Sequence, residues 1–282
     1  MRILFVTDLH GCTWKYERVL PKARSLHADV VVNGGDLLPK NGNLFQQDAF
    51  IRGFLCRHFR QFERAGISYL GYLGNDDLRI WDDLFEETCR RYKGIHNLAQ
   101  HKVTIGDTDF IGMNWVSDYP FTLKDRCRMD TEESAFPPQF GPAVLSTPEG
   151  WADVPDWFAH ARTLPTIADE LAALPRPDNN RHTVYVIHMP PHRLGLDVCL
   201  GGQRVGSKAV YEFLKKAQPS LSLHGHIHES PEVSGIWKAM LGHTVCVQPG
   251  QLDDFTYVLA DLESMRIERY TDQGKPGLAA GQ

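Results

Sequence analysis

Short apolar, largely β-branched runs recur along this chain, and five of them stop at a loop that opens with aspartate, asparagine or histidine. The run at 3–6 gives way to Asp8-Leu9-His10, that at 29–32 to Gly35-Asp36, and that at 68–73 to Gly74-Asn75-Asp76-Asp77. Further on, 183–187 leads into His188-Met189-Pro190-Pro191, and 220–223 into His224-Gly225-His226-Ile227-His228. In open α/β sheets ligands bind beyond the carboxyl ends of the strands. Oxygen and nitrogen donors gathered at such ends are what a protein needs to hold two divalent metal ions.

Between the first two runs, Tyr16, Val19, Leu20 and Ala23 recur at helical spacing, so the chain opens as a βαβ unit. Helices are predicted over 45–65 and 78–92, and strands over 102–105 and 108–113, which makes residues 1–113 an alternating α/β layer. The pattern breaks over 117–154, a stretch rich in proline, glycine and charge. A structureless loop of that length is uncommon in a compact domain and often functional. It reads equally as a lid, a dimer arm or a poorly ordered insertion. Helices follow over 155–174 and 208–217, and 244–248, 256–262 and 265–270 read as an antiparallel run of strands. Residues 1–271 form one expected domain of α/β class, and the Gly- and polar-rich stretch 272–282 is expected to fray.

Composition mainly excludes. A chain of 282 residues buries enough surface for a core without disulfides or oligomerisation. The net charge of −5 argues against a protein that grips nucleic-acid backbone, and so against stable binding of a duplex. The six cysteines form no CxxC pair, which disfavours a zinc knuckle or a disulfide framework. With no signal-like N-terminus and no apolar stretch of about 20 residues, the expectation is a soluble, cytoplasmic protein with no membrane partner.

Taken singly, each candidate ligand has an ordinary explanation. Asp8 could cap the next helix and His10 line a loop; Gly34-Gly35-Asp36 could be a tight turn. Asn75 suits a left-handed turn position, and a lone histidine such as His188 is more often structural. His226 and His228, two apart in extended chain, project to one side and form the strongest local signal. All five elements in order, each at a strand-to-loop junction, are hard to obtain from turns alone.

Jointly these residues resemble the calcineurin-like metallophosphoesterases, whose pattern is D-x-H, G-D, G-N-H-D/E, H and G-H-x-H. The match runs from Asp8 to His228, most of the chain. The resemblance implies a four-layer αββα sandwich with a dimetal centre at its crest. It implies that Asp8, His10, Asp36 and His228 hold one ion, that Asp36, Asn75, His188 and His226 hold the other, and that Asp36 bridges them. Its register leaves His224 pointing away or behind the ligands. Mixed Asp, Asn and His ligation suits manganese, iron, zinc or nickel.

Two such ions, about 3.5–4 Å apart, lower the pKa of a bridging water and clamp both attacking and leaving oxygens. The implied reaction is therefore in-line hydrolysis of a phosphoester P–O bond by a metal-bridging hydroxide, on a small phosphate ester or a nucleotide. One position departs from the pattern: Asp76 stands where the family commonly has a histidine that assists the leaving group, with Asp77 at the orienting position. An aspartate titrates near ~3.9 and cations lower it further, so Asp76 is expected to be a poor acid unless repulsion from Asp77 raises it. Its charge also disfavours dianionic monoesters, which gives an expected bias towards phosphodiesters. His192 is an alternative acid, and Arg126, Arg128, Arg193 and Arg204 are candidate phosphate contacts. The competing reading is a catalytically weak metal- or nucleotide-binding regulatory protein on the same fold.

Overall fold

The structure, a computed structural model, describes residues 1–273. In chain order, β1 (Arg2–Val6), α1 (Thr13–Ser25), β2 (Val30–Asn33), α2 (Gln47–Phe50), α3 (Cys56–Ala65), β3 (Ser68–Gly71), α4 (Asp82–Arg90) and β4 (Ile95–Asn97) come first. Next are β5 (Lys102–Ile105), β6 (Thr108–Met113), β7 (Val116–Ser117), β8 (Cys127–Arg128), β9 (Ala143–Thr147) and β10 (Gly150–Val154). Then follow α5 (Trp157–Ala161), α6 (Ile167–Ala173), β11 (Thr183–Ile187), α7 (Lys208–Ala217), β12 (Leu221–Leu223) and α8 (Ser230–Ser234). The last strands are β13 (Lys238–Leu241), β14 (Thr244–Val247), β15 (Phe255–Asp261) and β16 (Arg266–Asp272).

Two six-stranded sheets result, ordered β16-β15-β1-β2-β3-β4 and β13-β14-β12-β11-β6-β5. Strands β1 to β4 run parallel, as do β6, β11, β12 and β14; antiparallel partners close the β15 and β5 sides. Successive side chains of a strand face opposite ways, so a strand buried on both sides must be apolar throughout. In β1, Ile3 and Phe5 meet Val184, Val186, Leu221 and Leu223 of the opposite sheet. Leu4 and Val6 face outward into a cluster with Tyr16 and Val19 of α1 and Phe59 and Phe62 of α3. On the other side Tyr185 and Ile187 pack with Ile167 of α6 and with Val210 and Leu214 of α7. The layers are therefore helix, sheet, sheet, helix, as expected of the αββα sandwich. The C-terminal ends of β1, β2, β3, β11 and β12 converge on one crest, where the candidate ligands stand.

Several local expectations are corrected. The helix predicted over 45–65 contains a π-helical turn at Ile51–Leu55 between α2 and α3. That predicted over 155–174 is two helices, because Pro165 has no N–H to donate and biases Leu164 away from helical geometry; Thr166 then starts α6 with a capping box to Asp169. The segment 117–154 is not structureless. It contains the β7/β8 pair and the β9/β10 hairpin, and the buried Lys124 ammonium bonds to Asp118 at 2.7 Å and to the Tyr119 carbonyl.

The closing strands belong to two sheets: β14 lies parallel to β12, and β15 crosses over to pair with β1. Gln251 secures that crossing by accepting from Thr256 N at 3.0 Å and donating to Thr256 O at 3.1 Å. Asp272, the start of the expected frayed stretch, ends β16 and bonds Lys22 at 2.8 Å; residues 274–282 lie outside the described residues. Among the described residues no helix is long and apolar enough to cross a membrane.

Candidate metal centre

Left-handed backbone marks the crest. Asp8 (φ 54°), His10 (φ 43°), Asp36 (φ 51°) and His226 (φ 71°) all adopt positive φ, a conformation that costs a non-glycine residue roughly 1–3 kcal/mol. Hydrogen bonds between neighbouring strand ends hold them there: Asp8 N donates to Gly35 O at 3.0 Å, His10 N to Asp36 O at 2.9 Å and His226 N to Asp8 Oδ1 at 3.1 Å. The adjacent glycines permit close approach. A Cβ on Gly35 would lie 2.7 Å from His188 Nδ1, and one on Gly74 would collide with the Asp36 carboxylate.

All seven sequence candidates come together, in two groups that share Asp36. In the first, donor atoms of Asp8, His10, Asp36 and His228 lie within 4.8 Å of one another, with His10 Nε2 3.0 Å from His228 Nε2. In the second, Asn75 Oδ1 lies 2.9 Å from His188 Nε2 and 2.7 Å from His226 Nδ1, and His188 Nε2 is 3.5 Å from Asp36 Oδ2. Metal–ligand bonds of about 2.0–2.2 Å place neighbouring donors roughly 3.0–3.5 Å apart, so this spacing fits an ion in each group. Asp8 Oδ2 and His10 Nδ1 are buried without a hydrogen-bond partner, which buried polar atoms rarely tolerate, and this too fits a site built for a cation.

Charge and tautomer are set by the same contacts. Burial alone would raise both carboxyls, but the neighbouring histidines outweigh it: His228 and His188 bring Asp8 down to about 2, and His188 and His10 hold Asp36 lower still. Burial pulls His188 down, yet Asp36 and Asp8 overcome this and lift it to about 9; burial takes His10 and His226 down to about 3. His188 Nδ1 donates to Gly34 O at 2.6 Å, which aims Nε2 at the cluster. His224 stands apart from it. Its ring bonds Ser222 Oγ at 2.9 Å and Ile187 O at 2.9 Å, behind the crest.

Asp76 and Asp77 do different work from that expected. Asp77 is fully buried and accepts from Leu37 N (2.9 Å), Leu38 N (2.8 Å) and Gly74 N (2.8 Å), so it ties the Asp36 loop to the Asn75 turn and does not orient Asp76. Asp76 accepts from Asn75 Nδ2 at 2.9 Å, and this turns the amide oxygen towards His188 and His226. Partial burial and the Asp36 carboxylate, not Asp77, push Asp76 up to about 6, with Lys40 pulling it back.

A cavity of about 790 Å³ opens onto the cluster. Asp36, Asn75, Asp76, His226 and His228 form its floor; Tyr119, Phe121, Pro137 and Pro138 of the 117–154 segment form its roof, and Leu200 and Val205 a side wall. That segment therefore lines the cavity that opens onto the cluster. A cleft of about 1000 Å³ near Met1, Thr108 and Ser220, at the opposite strand ends, contains none of these ligands.

The other sequence candidates lie elsewhere. His192 is absent from the cavity wall and pairs with buried Asp197 at 3.3 Å. Arg126 is a buttress, donating to Gly74 O at 2.8 Å and pairing with Asp82. Arg128 stacks 3.7 Å from the Trp115 ring centroid and bonds Glu170, and Arg193 lies over Tyr211. Arg204 also lies off the cavity wall. The one lysine or arginine on that wall, among the described residues, is Lys40, which the sequence reading missed although it follows Asp36 by four residues.

A family model described as calcineurin-like phosphoesterase matches residues 1–230. The chain belongs to the calcineurin-like phosphoesterase family. Among solved structures, the sandwich of this phosphoesterase is similar to TT1561 of Thermus thermophilus, at 18% identity and TM-score 0.57, covering 96% of this chain and 98% of that one. It is also similar to a dimetal phosphatase from Danio rerio, at 9% identity and TM-score 0.53, covering 96% and 95%. At these identities the likeness is one of fold. Comparison with curated protein sequences finds no match.

Proposed function

We propose that this phosphoesterase is a dimetal phosphohydrolase that favours phosphodiesters. The position of Asp36 carries the reading: its carboxylate lies 3.8 Å from His10 Nε2 in one donor group and 3.5 Å from His188 Nε2 in the other, where a shared ligand belongs. Asp8, His10 and His228 would complete the first site and Asn75, His188 and His226 the second. Two divalent ions bound there would activate water and neutralise charge on the phosphoryl oxygens.

The chain's own residues do the rest. Asp77 and Arg126 fix the loops that carry Asp36 and Asn75, and Asp76 fixes the Asn75 amide. Lys40 offers a phosphoryl oxygen a direct cation. No histidine stands at position 76, the His192–Asp197 pair lies off the cavity wall, and Asp76, even raised to about 6, is mostly ionised at neutral pH, so leaving groups that need little protonation suit the site. The Asp76 carboxylate beside the floor repels a second negative charge, which supports a monoanionic diester over a dianionic monoester.

Metal analysis and kinetics test this together. Two ions per chain and faster hydrolysis of bis(4-nitrophenyl) phosphate than of 4-nitrophenyl phosphate are expected, with the preference reduced in Asp76→Asn. Equal rates for both esters would remove the diester assignment. Asp76 also motivates a second reading, a metal-binding regulatory protein with little turnover; two bound ions without hydrolysis of either ester would favour it.

A further inference from the structure

The cavity contains more than a phosphoryl group needs. Its volume of about 790 Å³ lies in the range of sites for drug-sized ligands, roughly 300–1,000 Å³, and the space beyond the ligands is walled by Phe121, Pro138, Met189, Leu200 and Val205. Phe121 is 63% exposed and Leu200 80%, although both are large and apolar and sit at the rim of one cavity. Two exposed apolar side chains on the wall of one cavity give an apolar ester group surface to cover. The roof is preformed: Tyr119 Oη donates to Leu123 O at 2.7 Å, Gln139 Nε2 to Asp118 Oδ2 at 3.2 Å, and Lys124 pairs with Asp118 beneath it. With Lys40 as the one lysine or arginine on the wall among the described residues, a substrate bearing several phosphates or a length of nucleic-acid backbone finds no further basic side chain there.

We infer that the substrate is a phosphodiester with one extended alkyl or aryl ester group, seated between the 117–138 segment and the 199–205 loop while its phosphoryl group rests at Asp36, Asn75 and Lys40. This rests on the phosphohydrolase reading of the same site. A chain packed along Phe121, Met189 and Leu200 leaves water and gains affinity with each methylene buried, about tenfold for every two.

Methyl and octyl 4-nitrophenyl phosphate share a leaving group and differ only in the other ester, so their ratio of kcat/KM isolates the apolar wall. The octyl ester is expected to be hydrolysed at least about tenfold more efficiently. In Phe121→Asp and Leu200→Asp the ratio should fall towards one; both residues are exposed, so folding is retained. Binding of octylphosphonate against methylphosphonate, measured by calorimetry, gives the same contrast without turnover. Equal kcat/KM and equal affinity within each pair, or a ratio untouched by both substitutions, would overturn the inference and leave the hydrolase reading standing. Tighter octylphosphonate binding with hydrolysis of neither ester would keep the apolar site and remove the hydrolase reading.

Discussion

Asp36 on the floor of the cavity, and Asp8 and His188 behind it, are almost wholly buried and held by hydrogen bonds between strand ends, whereas Phe121 and Leu200 on the cavity wall ride on loops and leave most of their surface in water. The floor is charged and strained, and two sheets over-determine it. The roof is apolar; the Lys124–Asp118 pair braces it from within, and Arg126 ties its segment to Gly74 and Asp82. Fixed donors must be preorganised to hold ions, and only a rigid scaffold supplies that. Selecting the organic part of a substrate needs shape and hydrophobicity, which loops vary without disturbing the core.

That division can be broken most severely at Asp36. Asp36→Asn removes the charge shared by both donor groups and is expected to lower hydrolysis about a thousandfold, a loss of several kcal/mol, with fewer than two ions per chain by metal analysis. Unchanged metal content and rate would show that the floor is not organised around this carboxylate. The largest effect on the roof comes from Lys124→Met, which strands Asp118 without its buried partner. A loss of about 3 kcal/mol in unfolding free energy is expected, with faster proteolysis within 117–154 and metal content retained. Loss of the metals in this variant would mean that floor and roof are one unit.

Smaller changes sharpen the picture of the floor itself. Asp76→Ala frees the Asn75 amide and is expected to weaken the ion in the Asn75, His188 and His226 group by about 10–100-fold in a competitive chelator titration, leaving the other ion in place. Equal weakening of both would place Asp76 among the shared determinants. The remaining effect, small per pH unit, is one of pH. Asp36 and Asp8 lift His188 to about 9, so between pH 6.5 and 9 its imidazole must lose a proton to bind an ion. Affinity at the second site should rise by up to about tenfold per pH unit in that window and then level off. In the metal-free chain the sign reverses: the stability contributed by the protonated ring is complete below pH 6.5 and is lost as pH rises through about 9. A pH-independent affinity would exclude His188 from the ligands.

Strand-end residues were legible because their signal is local. Asp8, His10, Asp36, Asn75, His188, His226 and His228 each follow a short apolar run, and glycines beside several of them make room for close contacts that a Cβ would block. The breaks at 51–55 and after Leu164 were read through because apolar spacing persists across them, although Pro165 was a visible signal. Strand β13 was missed, and β4 too, since Ile95-His96-Asn97 offers one apolar side chain. The arginines misled: Arg126 and Arg128 look like phosphate contacts in a polar stretch, and only packing against Asp82, Gly74 and Trp115 shows them to be struts.

By itself the amino-acid order determined the α/β alternation and marked the strand-end Asp, Asn and His residues, because both depend on periodicity or on chemistry within a few residues; the αββα class followed from the family resemblance that those motifs carry. Tertiary structure alone decided that Asp77 clamps two loops, that Asp76 steers Asn75, that Lys40 faces the cavity, and that segments around 120, 138 and 200 share one apolar wall. Apart from the neighbours Asp76 and Asn75, these relations join segments distant in sequence, and their energies arise from burial and hydrogen bonding that exist only once the two sheets have closed on each other.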